Sequence, residues 1–342
     1  MIVVCGKLPG FLACSRRHVI LSISQLFEER AEWLFEERIP QNAFKLYHPK
    51  RSYECVAKFG AKMSWNPPKS LGECVLEKQL GGCGHAMQVR CSEDGKRYVL
   101  KQGVGGKCPR TPLLSACASH VTAEFFALSM YGIWGATVPQ AALYRIRVQD
   151  EDMDVITYVM LTEYKEGEAL GIPDTRALED LQNWAWLDLA TANFDVCGIG
   201  LSNLKQISSG SDVSVIRLDF GCNVAFTAAG KPQNNNCKFS MKDLDDFRRL
   251  DSSKSNACVS KSPVNLVLKN KMSSGSARQE YIVPGLTNGI LRKKMPKITS
   301  RLPGMRKKIN EWIWNQQGHA LWNDMVDIIF MRIVAIEAAV KE

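Results

Sequence analysis

The rhythm of apolar and polar positions changes twice along this chain. From Glu73 it is strand-like. Glu73 to Leu80 reads as one strand, Gly81-Gly82-Cys83-Gly84 as a corner, and His85 to Cys91 as a second strand. Ser92-Glu93-Asp94-Gly95 forms a turn, and Arg97 to Gln102 a third strand. The period then lengthens. Leu114, Ala118, Val121, Phe125 and Leu128 recur at helical spacing between Pro112 and Tyr131. Val138 to Arg147 and Val155 to Leu161 predict two more strands. From Thr175 the pattern is helical, apart from a hairpin-like stretch from Leu204 to Val224. The expectation is α+β, with a small sheet-rich lobe followed by a larger helical lobe. A cleft between two such lobes is a common place for a ligand.

The flanks are less regular. Residues 1–72 read as a partly helical extension in which Leu26-Phe27-Glu28-Glu29-Arg30 recurs as Leu34-Phe35-Glu36-Glu37-Arg38. A single repeat is not an array, and it marks one helix ending before Pro40, with Pro67-Pro68 closing the segment like a linker. At the other end, Val326 to Val340 is apolar but carries Asp327, Arg332 and Glu337, so it predicts a soluble helix. No run of apolar residues is long enough to span a membrane.

Composition adds three constraints. A length of 342 residues corresponds to about two domains or lobes at roughly 150 residues each. The first 27 residues make a poor secretory signal, because Lys7, Arg16, Arg17 and His18 interrupt the apolar runs. The 12 cysteines form no Cys-x-x-Cys pair, so reduced thiols in a cytoplasmic protein are expected, and zinc is not. The net charge of +9 is uneven: Lys254 to Asn310 holds thirteen Lys and Arg against one acid, Glu280. This basic segment reads either as a solvated loop or as a site for an anionic partner, an acidic protein or anionic lipid. Nucleic acid is not expected.

Candidate chemistry centres on the hairpin. Ser214-Val215-Ile216-Arg217-Leu218 is an apolar strand that ends in Asp219-Phe220-Gly221, and Asn203 stands sixteen residues earlier. An Asp at a strand end and an Asn on the partner arm offer two hard oxygen ligands of the kind Mg²⁺ takes beside phosphate oxygens. Asp195 upstream is placed to orient or deprotonate an attacking hydroxyl. In the sheet, Lys101 ends a strand where it can neutralise α/β phosphates. Glu124 lies twenty-three residues on, among apolar neighbours, so its carboxylate needs a partner, and Lys101 is the natural one. Gly81, Gly82 and Gly84 let backbone N–H groups approach phosphate. Met160-Leu161-Thr162-Glu163-Tyr164 reads as a hinge whose backbone, at Glu163 and Tyr164, bonds adenine.

Each of these residues also has a plain structural reading. Lys101 fits an edge-strand surface position, Glu124 a local ion pair, Asn203 and Gly81 turns, and Asp219 a cap. Gly103 to Lys107 is not a Walker A loop, since Lys101 stands where its first glycine belongs and Cys108 where Ser or Thr should follow. The histidines show no ligand pairing. Cys83, Cys197 and Cys222 fall near the nucleotide site and suit small buried positions. Trp312, Trp314 and Trp322 read as helix-packing residues.

The order of glycine corner, strand Lys101, helix Glu124, hinge, Asp195-to-Asn203 loop and Leu218-Asp219-Phe220-Gly221 resembles the protein-kinase-like superfamily. It is nearest to the phosphatidylinositol-kinase, actin-fragmin kinase and HipA-like group. The likeness runs from about Glu73 to Leu250. It implies a kinase-like N-lobe over 73–164 and a helical C-lobe over 165–342 with a basic insert near 254–310. It further implies ATP and Mg²⁺ as cofactors, Lys101 and Asp195 as catalytic residues, Gly81, Gly82, Gly84, Lys101, Glu124, Glu163 and Tyr164 around the nucleotide, and Asn203 and Asp219 on the metal. The expected substrate is a protein Ser or Thr. A phosphoinositide kinase, an AMP-transferring enzyme and a pseudokinase scaffold are the alternatives. The chain departs from the pattern in having no His-Arg-Asp and no Ala-Pro-Glu, and in the eight residues between Asp195 and Asn203; Asp188 competes with Asp195 for the catalytic position.

Overall fold

A computed structural model describes residues 51–60, 65–81, 86–102, 114–150, 153–169, 175–193, 203–209, 212–226, 289–316 and 320–341. All of them fall in the compact unit Lys45–Glu342. The architecture is mixed α+β: a six-stranded antiparallel sheet, a three-stranded sheet and a set of helices.

The large sheet is built from β1 (Arg51–Phe59), β2 (Cys74–Gly81), β3 (Ala86–Cys91), β4 (Arg97–Lys101), β5 (Ala141–Asp150) and β6 (Met153–Glu163), in the order β1-β5-β6-β4-β3-β2. Its longest pairing is the β5–β6 hairpin, in register from Ala141 opposite Thr162 to Asp150 opposite Met153. The sheet begins at Arg51, ahead of the boundary expected at Glu73: β1 pairs with β5 along its length. Its Glu54 is exposed and ion-paired across the strands with Arg145, and charges of this kind suit the edge of a sheet. The hairpin of β2 and β3 is joined at its base by a disulfide, Cys74–Cys91, between residues directly opposite one another. This corrects the expectation of reduced thiols throughout; Cys55 and Cys222 are in no disulfide.

Helix α1 (Leu114–Trp134) lies against β5 and β6. From Val121 to Tyr131 every residue is buried, as expected of a helix apolar on all sides. It stops at Gly135, whose φ of +103° is the left-handed turn that closes helices; the Gly135 and Ala136 amides both donate to Tyr131 O, at 3.1 and 2.9 Å. Next come β7 (Glu168–Ala169), α2 (Thr175–Asn183), α3 (Ala185–Ala190), and the hairpin of β8 (Leu204–Ser209) with β9 (Asp212–Arg217), which completes the small sheet in the order β7-β8-β9.

The C-terminal helices are α4 (Gly289–Ser300), α5 (Leu302–Asn315) and α6 (Ala320–Lys341). The last third of the basic segment is thus helical rather than a loop. Leu291, Met295, Ile298, Met305 and Ile309 face inward, while Arg292, Lys293, Arg306 and Lys307 face solvent. Trp312 and Trp322 stack at 5.6 Å and meet Phe125 and Phe126 of α1. Trp314 is 84% exposed, which corrects the expectation that it packs. No described helix is long and apolar enough to cross a membrane. The repeat in residues 26–38, Gly103 to Lys107, and the basic stretch up to residue 288 lie outside the described residues.

Candidate functional site

Three elements bring one charged cluster together. β4 ends in Lys101, α1 carries Glu124, and the chain leaving β9 carries Asp219. The Lys101 ammonium donates to Glu124 Oε1 and, at 3.1 Å, to Asp219 Oδ1. The surroundings differ from one carboxylate to the other. Glu124 is 2% exposed, and burial pushes its carboxyl up to about 7 against the pull of Lys101. The Asp219 side chain keeps 41% of its surface exposed. Burial acts to raise it too, but the adjacent ammonium and the Gly221 amide prevail and hold it below its ordinary value. Burial works against the charge on Lys101, and the two carboxylates outweigh it, so Lys101 stays protonated. One cation therefore serves two carboxylates, and the outer one keeps its negative charge.

The turn after β9 is fixed from several sides. Asn223, fully buried, donates to Phe220 O at 3.0 Å and accepts from the Ala225 and Phe226 amides. Gly221 N donates to Asp219 Oδ1 at 3.1 Å, and Phe220 N to Glu124 Oε1 at 3.4 Å. A Cβ on Gly221 would stand 3.2 Å from His120 Nε2 and 3.4 Å from Asp219 Oδ1, so the turn passes where only glycine fits without displacement. Asn203 faces the same strand end: its carbonyl accepts the Leu218 amide at 2.9 Å, which places it next to Asp219 along the hairpin.

Asp188, the competitor for the catalytic position, has a structural role instead. Both its oxygens accept from the fully buried Arg217, at 3.0 and 2.8 Å, and Tyr131 donates to one of them at 2.8 Å. Asp195, Gly82 and Gly84 lie outside the described residues, and Gly81 closes β2. The loop leading to Asp195 is visible at its start. Ala192 adopts φ +53°, an uncommon conformation for a residue with a side chain. Its carbonyl accepts from the Cys222 thiol at 3.7 Å, so Ala192 lies beside the Asp219 turn. Asn193 is buried with both carboxamide atoms unpartnered; its nitrogen can donate to a ligand oxygen, and its oxygen can accept from a donor or ligate a cation.

At the expected hinge, the amides of Glu163 and Tyr164 already have partners. The Glu163 amide donates to Gln140 O at 2.8 Å and the Tyr164 amide to Arg97 O at 3.1 Å. Both amides are thus engaged within the fold, and the backbone carbonyls remain the groups of this segment open to a base. An open cavity of about 680 Å³ is found elsewhere, lined by Cys55, Lys58, Pro67, Lys69, Glu93 and Gln316 among others, and it includes none of the cluster residues.

Among the described residues, no group of three or more His, Cys, Asp or Glu could hold a metal ion. A carboxylate and a carboxamide alone complete a Mg²⁺ shell only with phosphate oxygens and water. Sequence reasoning passed over His120 and Asn223. A signal for His120 was present: it stands four residues before Glu124, and the two are the ionisable side chains of an otherwise apolar stretch. No protein-family model matches the chain, and no curated protein does either.

Proposed function

We propose that this chain is a kinase-like phosphotransferase, two-lobed, that uses Mg-ATP and phosphorylates a hydroxyl of a protein Ser or Thr. The observation that carries the reading is the bridge from Lys101 to Glu124 and Asp219, which unites a strand, a helix and a strand end across 118 residues of sequence. The donor set fits the cofactor. A fixed ammonium lies beside an exposed carboxylate, with Asn203 adjacent and an orphaned Asn193 carboxamide nearby in sequence.

In this proposal Lys101 contacts the α/β phosphates and Glu124 keeps its amine in place. Asp219 and Asn203 hold the metal. Mg²⁺ supplies neutralisation of the charge on the phosphate oxygens during transfer. Asp195, on the loop that starts beside Cys222, orients the acceptor hydroxyl and takes its proton. Positioning and electrostatic stabilisation make up most of catalysis in such a reaction.

Purified protein given γ-labelled Mg-ATP should label an added Ser/Thr substrate. Asp219→Ala should lower the rate by on the order of 10³-fold, the scale of losing one preorganised charge contact. Equal labelling by both proteins would defeat the assignment. A pseudokinase scaffold is the second reading, favoured by the engaged Glu163 and Tyr164 amides. A melting temperature unmoved by saturating Mg-ATP supports the scaffold over the enzyme.

A further inference from the structure

We propose that His120 is a positioning residue that locks the turn carrying Asp219. It sits one helical turn before Glu124 on α1 and is 3% exposed. Its Nε2 lies 3.1 Å from Gly221 O. A carbonyl only accepts, so Nε2 carries the proton and donates. The ring also meets Phe226 edge-on, with centroids 5.3 Å apart, and Phe226 closes the turn through its bonds to Asn223. Burial holds the imidazole below its ordinary value, in keeping with a neutral ring.

The geometry gives α1 two grips on one turn. Glu124 accepts from the Phe220 amide and His120 donates to the Gly221 carbonyl, so the helix grips the peptide units on either side of the Phe220–Gly221 peptide. The Gly221 amide is in turn a donor to Asp219 Oδ1, the same oxygen that Lys101 holds. Rotation of the Phe220–Gly221 peptide between these grips would remove one of the two donors that Asp219 Oδ1 accepts from. Glycine has wide backbone freedom, and a restraint is needed where its orientation matters. His120 supplies it at the Gly221 carbonyl, together with Asn223 Nδ2, which donates to Phe220 O at 3.0 Å and to Gly221 O at 3.5 Å. Nothing in the phosphotransferase reading assigns this residue; its catalytic consequence rests on that reading, whereas its grip on the turn does not.

Two substitutions of similar polarity separate this role from bulk packing. Glutamine carries its amide nitrogen at the reach of Nε2, and asparagine at the reach of Nδ1. Hydrogen exchange is followed by mass spectrometry on the peptide covering residues 216–226, without nucleotide. His120→Asn should exchange roughly tenfold faster there, the equivalent of one buried hydrogen bond. His120→Gln should stay close to wild type, and peptides from α6 should be unchanged in both. If the two variants exchange alike in 216–226, the proposal is overturned. Phosphate transfer is then measured on the same proteins. His120→Asn should lose roughly 10²-fold in kcat, as small misplacements do, with KM for the acceptor unmoved and with rescue by His120→Gln. Absence of transfer by wild type sinks the phosphotransferase reading and leaves the exchange result standing.

Discussion

Lys101 cannot fully compensate both of its partners. With Lys101, Glu124 and Asp219 all ionised the cluster is negative by one charge, and the more deeply buried carboxylate bears the strain. Glu124 titrates at about 7 in the fold, above its ordinary 4.5. Between those values the folded state binds more protons at this site than the unfolded chain does. This term therefore lowers stability as pH rises across the window. His120 acts in the opposite sense, since its folded value is depressed below 6.5 and its term raises stability as pH rises towards 6.5. Comparison of variants isolates the first term. In urea titrations at intervals from about pH 4.5 to 7, Glu124→Gln should gain stability relative to wild type as pH rises. Parallel curves would show that Glu124 is not strained. The Lys101–Glu124 pairing was legible in the sequence because a lone carboxylate in an apolar helix needs a cation. The engagement of Asp188 by Arg217 and Tyr131 was not, because it depends on how α3, β9 and α1 meet.

Elements are held by a small number of polar contacts set in apolar surroundings. Arg332 is buried on α6, and its guanidinium donates to Ala190 O at 2.9 Å and Leu189 O at 2.7 Å, the carbonyls that end α3. A cation at a helix C-terminus satisfies orphan carbonyls and complements the dipole. Arg332→Met should destabilise the fold by about 1.5–3 kcal/mol, the range for hydrogen bonds involving a charged group, read as a fall in the urea midpoint. A change within experimental error would remove Arg332 from this role. Apolar patterning placed β2, β3, β4, α1, β5, β6 and the β8–β9 hairpin close to where they lie; burial alternates along β3 at Met87, Val89 and Cys91, whereas α1 is buried on all sides from Val121 to Tyr131. It missed β1, whose Arg51, Glu54 and Lys58 dilute the apolar signal at a sheet edge. It also missed α4, where the excess of Lys and Arg in the basic segment was read as a solvated loop. There the burial of Leu291, Met295 and Ile298 outweighs local propensity.

At the scale of the molecule, α1 connects the candidate site to the main core. One part of it carries His120 and Glu124 against the Asp219 turn, while Phe125 and Phe126 meet the tryptophans of α5 and α6. The order of motifs along the sequence anticipated that Lys101, Glu124 and Asp219 would meet, since each lies at a strand end or in a helix that must pack on a sheet. The same order gave no indication that the Glu163 and Tyr164 amides would donate to the Gln140 and Arg97 carbonyls. The central claim is that the Lys101–Asp219 cluster holds a nucleotide triphosphate with its divalent ion. Titration calorimetry with ATP, in Mg²⁺ and again in EDTA, tests it most directly on wild type and Asp219→Asn. The account predicts binding by wild type that weakens at least about tenfold in EDTA, equivalent to about 1.4 kcal/mol, and an Asp219→Asn protein that has lost this Mg²⁺ dependence. No binding heat from wild type, or equal affinity in all four titrations, would contradict it.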